Sequence, residues 1–163
     1  MIRIILEQQV SLSSAASMFR RLSANISPFT PARFVELGEM YLRSLGLTRQ
    51  KSAYCVHLAR SIVDRELNLP FVSRMSDLDA RTELMRIKGI GMWSADIYLL
   101  MALRRPDIWP SGDVALVTAI TRLRQLPARP NPDQLLLMAE RWRPFRAVAA
   151  RMLWQYYLSQ RRQ

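Results

Sequence analysis

Residues 87–116 read IKGIGMWSADIYLLMALRRPDIWPSGDVAL, and their order decides the fold. Gly89 and Gly91 flank a single apolar residue, Ile90, which lets the backbone turn tightly and lets Ile90 plug into the domain. The apolar run from Met92 begins at once, so a helix starts there with its first N–H groups unpaired and pointing outward. The partial positive charge of that end, beside residues lacking side chains, suits a phosphate. Pro106 and Pro110 brace an irregular loop, and Asp113 stands where the next helix opens. Taken singly, these are an ordinary helical corner and an ordinary N-cap. Taken together they differ, because Asp113 lies 20 residues after Trp93 and the braced loop can return the chain to the hairpin. Carboxylate and indole are then expected in one cleft.

Outward from this stretch the chain reads as helix after helix with legible ends. Ser11 can cap SLSSAASMFRRL, in which Leu12, Ala15, Ala16, Phe19 and Leu22 recur at three-four spacing. Thr30-Pro31 opens a helix that Gly46 stops. Thr48 starts TRQKSAYCVHLARSIVDREL, with Tyr54, Leu58, Ile62 and Val63 predicted on its inner face. Ser76 caps a helix running to Lys88, Met92 begins one running to about Arg104, and a further helix spans Asp113 to Leu123. Asn131-Pro132 and Arg143-Pro144 begin the last two. No repeat, low-complexity tract or linker divides the chain, so residues 1–163 are predicted to form a single all-α domain. Its helix-hairpin-helix would span about residues 76–104 and its Pro/Gly loop with the Asp residues 106–113.

Charge and composition bound the function. Lys plus Arg number 24 against 13 acids, a net charge of +11, which points to polyanions and to nucleic acid first. Cys55 is the only cysteine, which excludes an internal disulfide and any four-Cys zinc or iron–sulfur site. No apolar run approaches the roughly 20 residues of a membrane span, and MIRIILEQQ lacks the cleavage site of a signal peptide. A reducing cytoplasm is the expected compartment, at the nucleoid in a bacterium or in the nucleus of a eukaryote. His57 beside Cys55 lacks the rest of any triad or metal site and reads as structural.

LMRIKGIGMWSAD (residues 84–96) followed by PSGDVAL (residues 110–116) resembles the helix-hairpin-helix, Gly/Pro loop and Asp signature of the DNA glycosylase superfamily of base-excision repair. ILEQQVSLSSAASMFRRL (residues 5–22) and RWRPFRAVAARMLW (residues 141–154) are similar to its alkylpurine branch, the 3-methyladenine DNA glycosylase II group. The four blocks occur in the family's order and cover nearly the whole chain. The resemblance implies a compact multi-helix fold with a cleft between two helical subdomains. Four departures stand out. Trp93 occupies the place where bifunctional members carry a Schiff-base Lys, so no lyase step is expected, and the four cysteines of the iron–sulfur branches are absent. Ile97, followed by Tyr98, stands where some alkylpurine enzymes have a pocket Tyr. The chain also opens almost at ILEQQVS, with no counterpart of the branch's N-terminal β-rich domain.

Through that resemblance each site residue acquires an expected role. Asp113 is the catalytic carboxylate, stabilising the oxocarbenium-like sugar and orienting or deprotonating water. Trp93 and Trp154 stack on the extruded cationic base, whereas Trp109 and Trp142 read as packing. Gln9, in the turn Gln8-Gln9-Val10-Ser11, fills the gap in the duplex. Lys88, Gly89, Ile90 and Gly91 hold the DNA strand. Main-chain carbonyls of Met85, Ile87 and Ile90 match those that bind a structural monovalent cation in the family; no catalytic cofactor is expected. Arg141, Arg143, Arg146, Arg151, Arg161 and Arg162 are candidates for phosphate contacts or for a solvated helix face. The expected partner is duplex DNA with damaged bases, bound by a monomer with no membrane involved. The alternatives are a non-catalytic helix-hairpin-helix module that only grips DNA, or a glycosylase for another damaged base.

Overall fold

Polar caps mark where most of the longer helices begin. In the computed structural model, which describes residues 1–160, every regular element is helical, as the sequence predicts. Helix α1 spans Ile2–Glu7, α2 Leu12–Asn25, α3 Pro31–Ser44, α4 Arg49–Val63, α5 Leu69–Val72 and α6 Asp77–Met85. Helix α7 spans Met92–Ile97 and continues as a wider π-helical turn, Tyr98–Ala102; α8 spans Val114–Leu123, α9 Pro132–Ala139 and α10 Arg146–Gln160. Ser11, Thr30, Thr48, Ser76 and Asp113 each accept a hydrogen bond from the backbone N–H three residues on. Asn131 and Gln134 form a reciprocal capping box. Each such cap contributes about 1 kcal/mol.

The differences from the predicted ends are physical. Helix α4 stops at Val63, short of Leu67, because Asp64 and left-handed Arg65 (φ +60°) turn the chain; Leu67 is buried nonetheless, its N–H donating to the Ser61 carbonyl. The inner face of α4 also differs. It packs on both α1 and α3, so its buried arc holds Ser52, Cys55, Leu58 and Ala59, while Val63 is exposed and Tyr54 and Ile62 are half-buried. Small side chains, Ser52, Cys55, Ala59 and Ser61, make up much of that buried arc. Leu12 is exposed despite its place in the α2 stripe, and Gly38 (φ +69°) breaks α3 internally. Helix α6 ends at Met85 rather than Lys88, and α10 begins at Arg146, beyond Pro144.

Chain contacts group the helices into two compact units, residues 1–95 and residues from Asp96 onward, the boundary falling within α7. In the first, α3 packs on α4, α1 on α2 and α4, and α5 on α6. Its core includes Ile5, Leu6, Leu22, Phe34, Leu42, Leu58 and Leu84, and Phe29 meets Phe19 and Phe34 edge to face. In the second, α8 packs on α10 around Leu99, Leu100, Leu116, Ile120 and Ala150. Among the described residues no helix is long and apolar enough to cross a membrane.

Candidate functional site

In the first unit the hairpin between α6 and α7 is closed by the Ile90 N–H, which donates to the Ile87 carbonyl at 2.9 Å. Ile87 and Ile90 are both buried, as expected of a plug, while Lys88 is exposed. The two glycines serve different ends. Gly89 has φ +93°, and a Cβ placed there would overlap the Tyr54 ring of α4. Its missing side chain therefore makes room for Tyr54, a packing requirement that the sequence did not reveal. A Cβ on Gly91 would meet nothing within 4 Å, so that position alone faces open space.

The Gln8-Gln9 turn is tied to the same hairpin. Gln8 Nε2 donates to the Gly89 carbonyl at 2.9 Å and to Ser94 Oγ at 2.8 Å. Gln9, next in the chain, is exposed and left-handed at φ +56°. Gln8, Gln9, Tyr54, Lys88 and Gly91 are among the residues lining an open pocket of about 440 Å³. Lys51 also lines it, and its ammonium donates to the Leu6 carbonyl. Trp93 sits half-buried in the first turn of α7, one residue before the Ser94 that Gln8 holds.

The carbonyls of Met85, Ile87 and Ile90 come from the end of α6, its partial negative pole, and from the hairpin that follows. They are neutral, hard oxygen donors, and the Ile87 oxygen keeps a second lone pair beside its bond to Ile90. Such a set suits an alkali cation. Among the described residues no three His, Cys, Asp or Glu side chains gather as a metal site. Burial pushes the Cys55 thiol up to about 12, so it stays protonated and inert.

In the second unit Asp113 is buried at the start of α8. Its Oδ1 accepts hydrogen bonds from the Leu116 N–H at 3.0 Å and from Trp154 Nε1 at 3.1 Å. The contact with Trp154 was not foreseen from the sequence, which offered Trp154 only as a stacking surface. Cap and indole together hold the carboxylate in one orientation. Ile97 and Tyr98 are both buried, and burial raises the Tyr98 hydroxyl pKa. Trp109 is buried and tilted against Trp142 at 5.4 Å between ring centroids, a packing role as expected.

The arginines near α10 divide. Arg146 is buried and bound to Asp107 and Glu140, and Arg143 bridges the same two acids. Burial opposes ionisation of Asp107, but hydrogen bonds and positive charge from Arg146 and Arg143 outweigh it and hold the carboxyl below its usual range. Arg146 is therefore not a phosphate contact: the acids that neutralise it come from Asp107, distant in sequence, and from Glu140. Arg151 donates to the Leu100 carbonyl, Arg141 remains exposed, and Arg161 and Arg162 lie outside the described residues.

Two relatives from Bacillus subtilis (strain 168) are 31% and 32% identical to this chain over 163 and 123 residues. They match 95% and 76% of this chain, which spans 57% and 41% of their own lengths; the second is a DNA-3-methyladenine glycosylase. The solved 3-methyladenine DNA glycosylase of Schizosaccharomyces pombe, in complex with abasic DNA, is 27% identical with a TM-score of 0.88, covering 94% of this chain and 77% of that one. An 8-oxoguanine glycosylase/lyase from Clostridium acetobutylicum, 16% identical, shares the fold at a TM-score of 0.84 over 99% of this chain and 58% of its own. The model of the HhH-GPD superfamily base excision DNA repair protein matches residues 2–145. A hairpin plugged by Ile90, an Asp-capped helix beyond a proline-braced loop and that match agree: the chain belongs to the HhH-GPD superfamily of base excision DNA repair proteins.

Proposed function

We propose that the chain is a monofunctional DNA glycosylase that hydrolyses the N-glycosidic bond of alkylated purines, of the 3-methyladenine class, in duplex DNA. The observation that carries this reading is Asp113, a buried carboxylate whose orientation is set by the Leu116 N–H and the Trp154 indole. A carboxylate held still beside an oxocarbenium-like sugar stabilises the charge that develops there, and it can orient water. An alkylated purine is already cationic and leaves without strong acid help. One carboxylate then suffices.

The other residues divide the remaining work. Gly91 and Lys88 accept the strand at the hairpin, and the carbonyls of Met85, Ile87 and Ile90 would hold a monovalent cation, which would add positive charge where the strand's phosphates approach. Gln9, exposed at the tip of its turn, enters the duplex where the nucleotide leaves. Trp93 and Trp154 offer electron-rich faces to the cationic base, a contact worth about 0.5–2 kcal/mol. Since position 93 carries an indole and no amine, no covalent sugar adduct forms.

Duplex DNA treated with a methylating agent tests this directly. Free 3-methyladenine or 7-methylguanine should appear on incubation, with the strand left intact and nothing trapped by borohydride. Intact bases after incubation would favour a module that only grips DNA; a trapped adduct would favour glycosylase-lyase chemistry. Trp154→Phe separates the two uses of that residue, because it keeps an aromatic face and removes the N–H. Release should slow about tenfold, the effect of one hydrogen bond to a charged group. An unchanged rate would leave Trp154 a stacking role only.

A further inference from the structure

The loop that ends in Asp113 is gripped a second time, six residues earlier, by the helix that carries Trp154. Arg146, the first residue of α10, has a side chain only 11% exposed. Its guanidinium forms a fork on Asp107, Nε to Oδ1 at 2.8 Å and Nη2 to Oδ2 at 3.0 Å. Nη2 also donates to the main-chain carbonyl of Asp107 at 2.9 Å, and the Arg146 backbone N–H to Oδ1 at 3.3 Å. Beside it the Ala147 N–H donates to the Pro106 carbonyl at 2.9 Å. Glu140 takes Nη1 at 3.3 Å, and Arg143 reaches Asp107 Oδ2 at 3.1 Å. The backbone around Asp107 is thus fastened to the start of α10. Two helical turns further along α10, Trp154 fastens Asp113.

From these contacts we infer that Arg146 and Asp107 are positioning residues for the reaction: they set the loop's register against α10, so that Trp154 meets the Asp113 carboxylate. The inference rests on the glycosylase reading. A buried ion pair adds little net stability, because desolvating both charges offsets most of their attraction. What a bidentate fork supplies is direction, since a planar guanidinium admits one orientation of the carboxylate and Lys cannot reproduce it. A shift of about 1 Å at a reacting group can cost about 10²-fold in rate. The pair touches neither base nor sugar in this scheme; it acts through Asp113.

The readout must separate placement from folding. Two duplexes serve, one with a cationic pyrrolidine abasic analogue at the lesion position and one with a neutral tetrahydrofuran analogue. The ratio of their dissociation constants reports whether a carboxylate faces the sugar, and it does not depend on the folded fraction. The full chain should prefer the cationic duplex. Arg146→Lys and Asp107→Asn should each lose most of that preference, bind the neutral duplex as the unaltered protein does, and release base about 10²-fold more slowly in single turnover. Asp107→Asn serves where Arg146→Lys folds poorly, since it removes one charge and keeps an acceptor. Either variant keeping the full preference, or losing both affinities equally, overturns the positioning role. An unaltered protein that releases base while the variants behave so sinks this inference alone; one that releases no base and shows no preference sinks the glycosylase reading with it.

Discussion

Asp113→Asn should slow base release about 10²–10³-fold and leave duplex binding in place. Asn isolates the charge with little other disturbance. As an N-cap it equals Asp, so the bond from the Leu116 N–H survives through the amide oxygen, as does the acceptor for Trp154 Nε1. The negative charge is what disappears, and with it the attraction to the developing oxocarbenium ion. Asp113→Ala would confound the two roles, because it also removes a cap worth about 1 kcal/mol. Single-turnover release and duplex affinity, measured on one preparation, check the prediction. Activity retained in the Asn variant would mean that another group, or water alone, supports departure of the base.

Gly89→Ala should bring the largest loss of stability of any single methyl added to the hairpin. An added Cβ would overlap the Tyr54 ring, and the backbone is left-handed at φ +93°. Overpacking and backbone strain each cost about 1–3 kcal/mol, which for a domain of this size lowers the melting temperature by about 5–20 °C. Gly91→Ala adds the same methyl two residues later, where nothing lies within 4 Å. That variant should melt as the unaltered protein does and bind duplex DNA more weakly, because the methyl now projects where the strand approaches. Equal melting of the two variants would contradict the division of labour between the glycines.

Much of the fold was legible because its signals are local. A cap hydrogen bond spans three residues, and Ser11, Thr30, Thr48, Ser76, Asp113 and Asn131 all close as their residue types predict. The candidate site was legible only in part. Asp113 announces itself by its spacing from Trp93 and by the family it resembles, and Ile90 by its place between two glycines. Gln8 did not, since nothing near it in sequence says that its amide ends on Gly89 and Ser94. Arg146 was misread because the run of basic residues around it suggests a solvated or phosphate-binding face. Its acids lie elsewhere, on Asp107 before α8 and on Glu140.

What the linear chain carries, then, is helix ends, the hairpin, the charge and the residue types that chemistry requires, because each depends on neighbours within a turn or on composition. What packing alone decides is which residues those types meet. Tyr54 gave Gly89 a packing reason to lack a side chain, Trp154 became a donor to Asp113 across 41 residues, and Arg146 became a clamp on Asp107 across 39. The physical reason is the same in each case. A buried polar group or a missing side chain must be matched by whatever the fold brings against it, and only the folded chain says what that is.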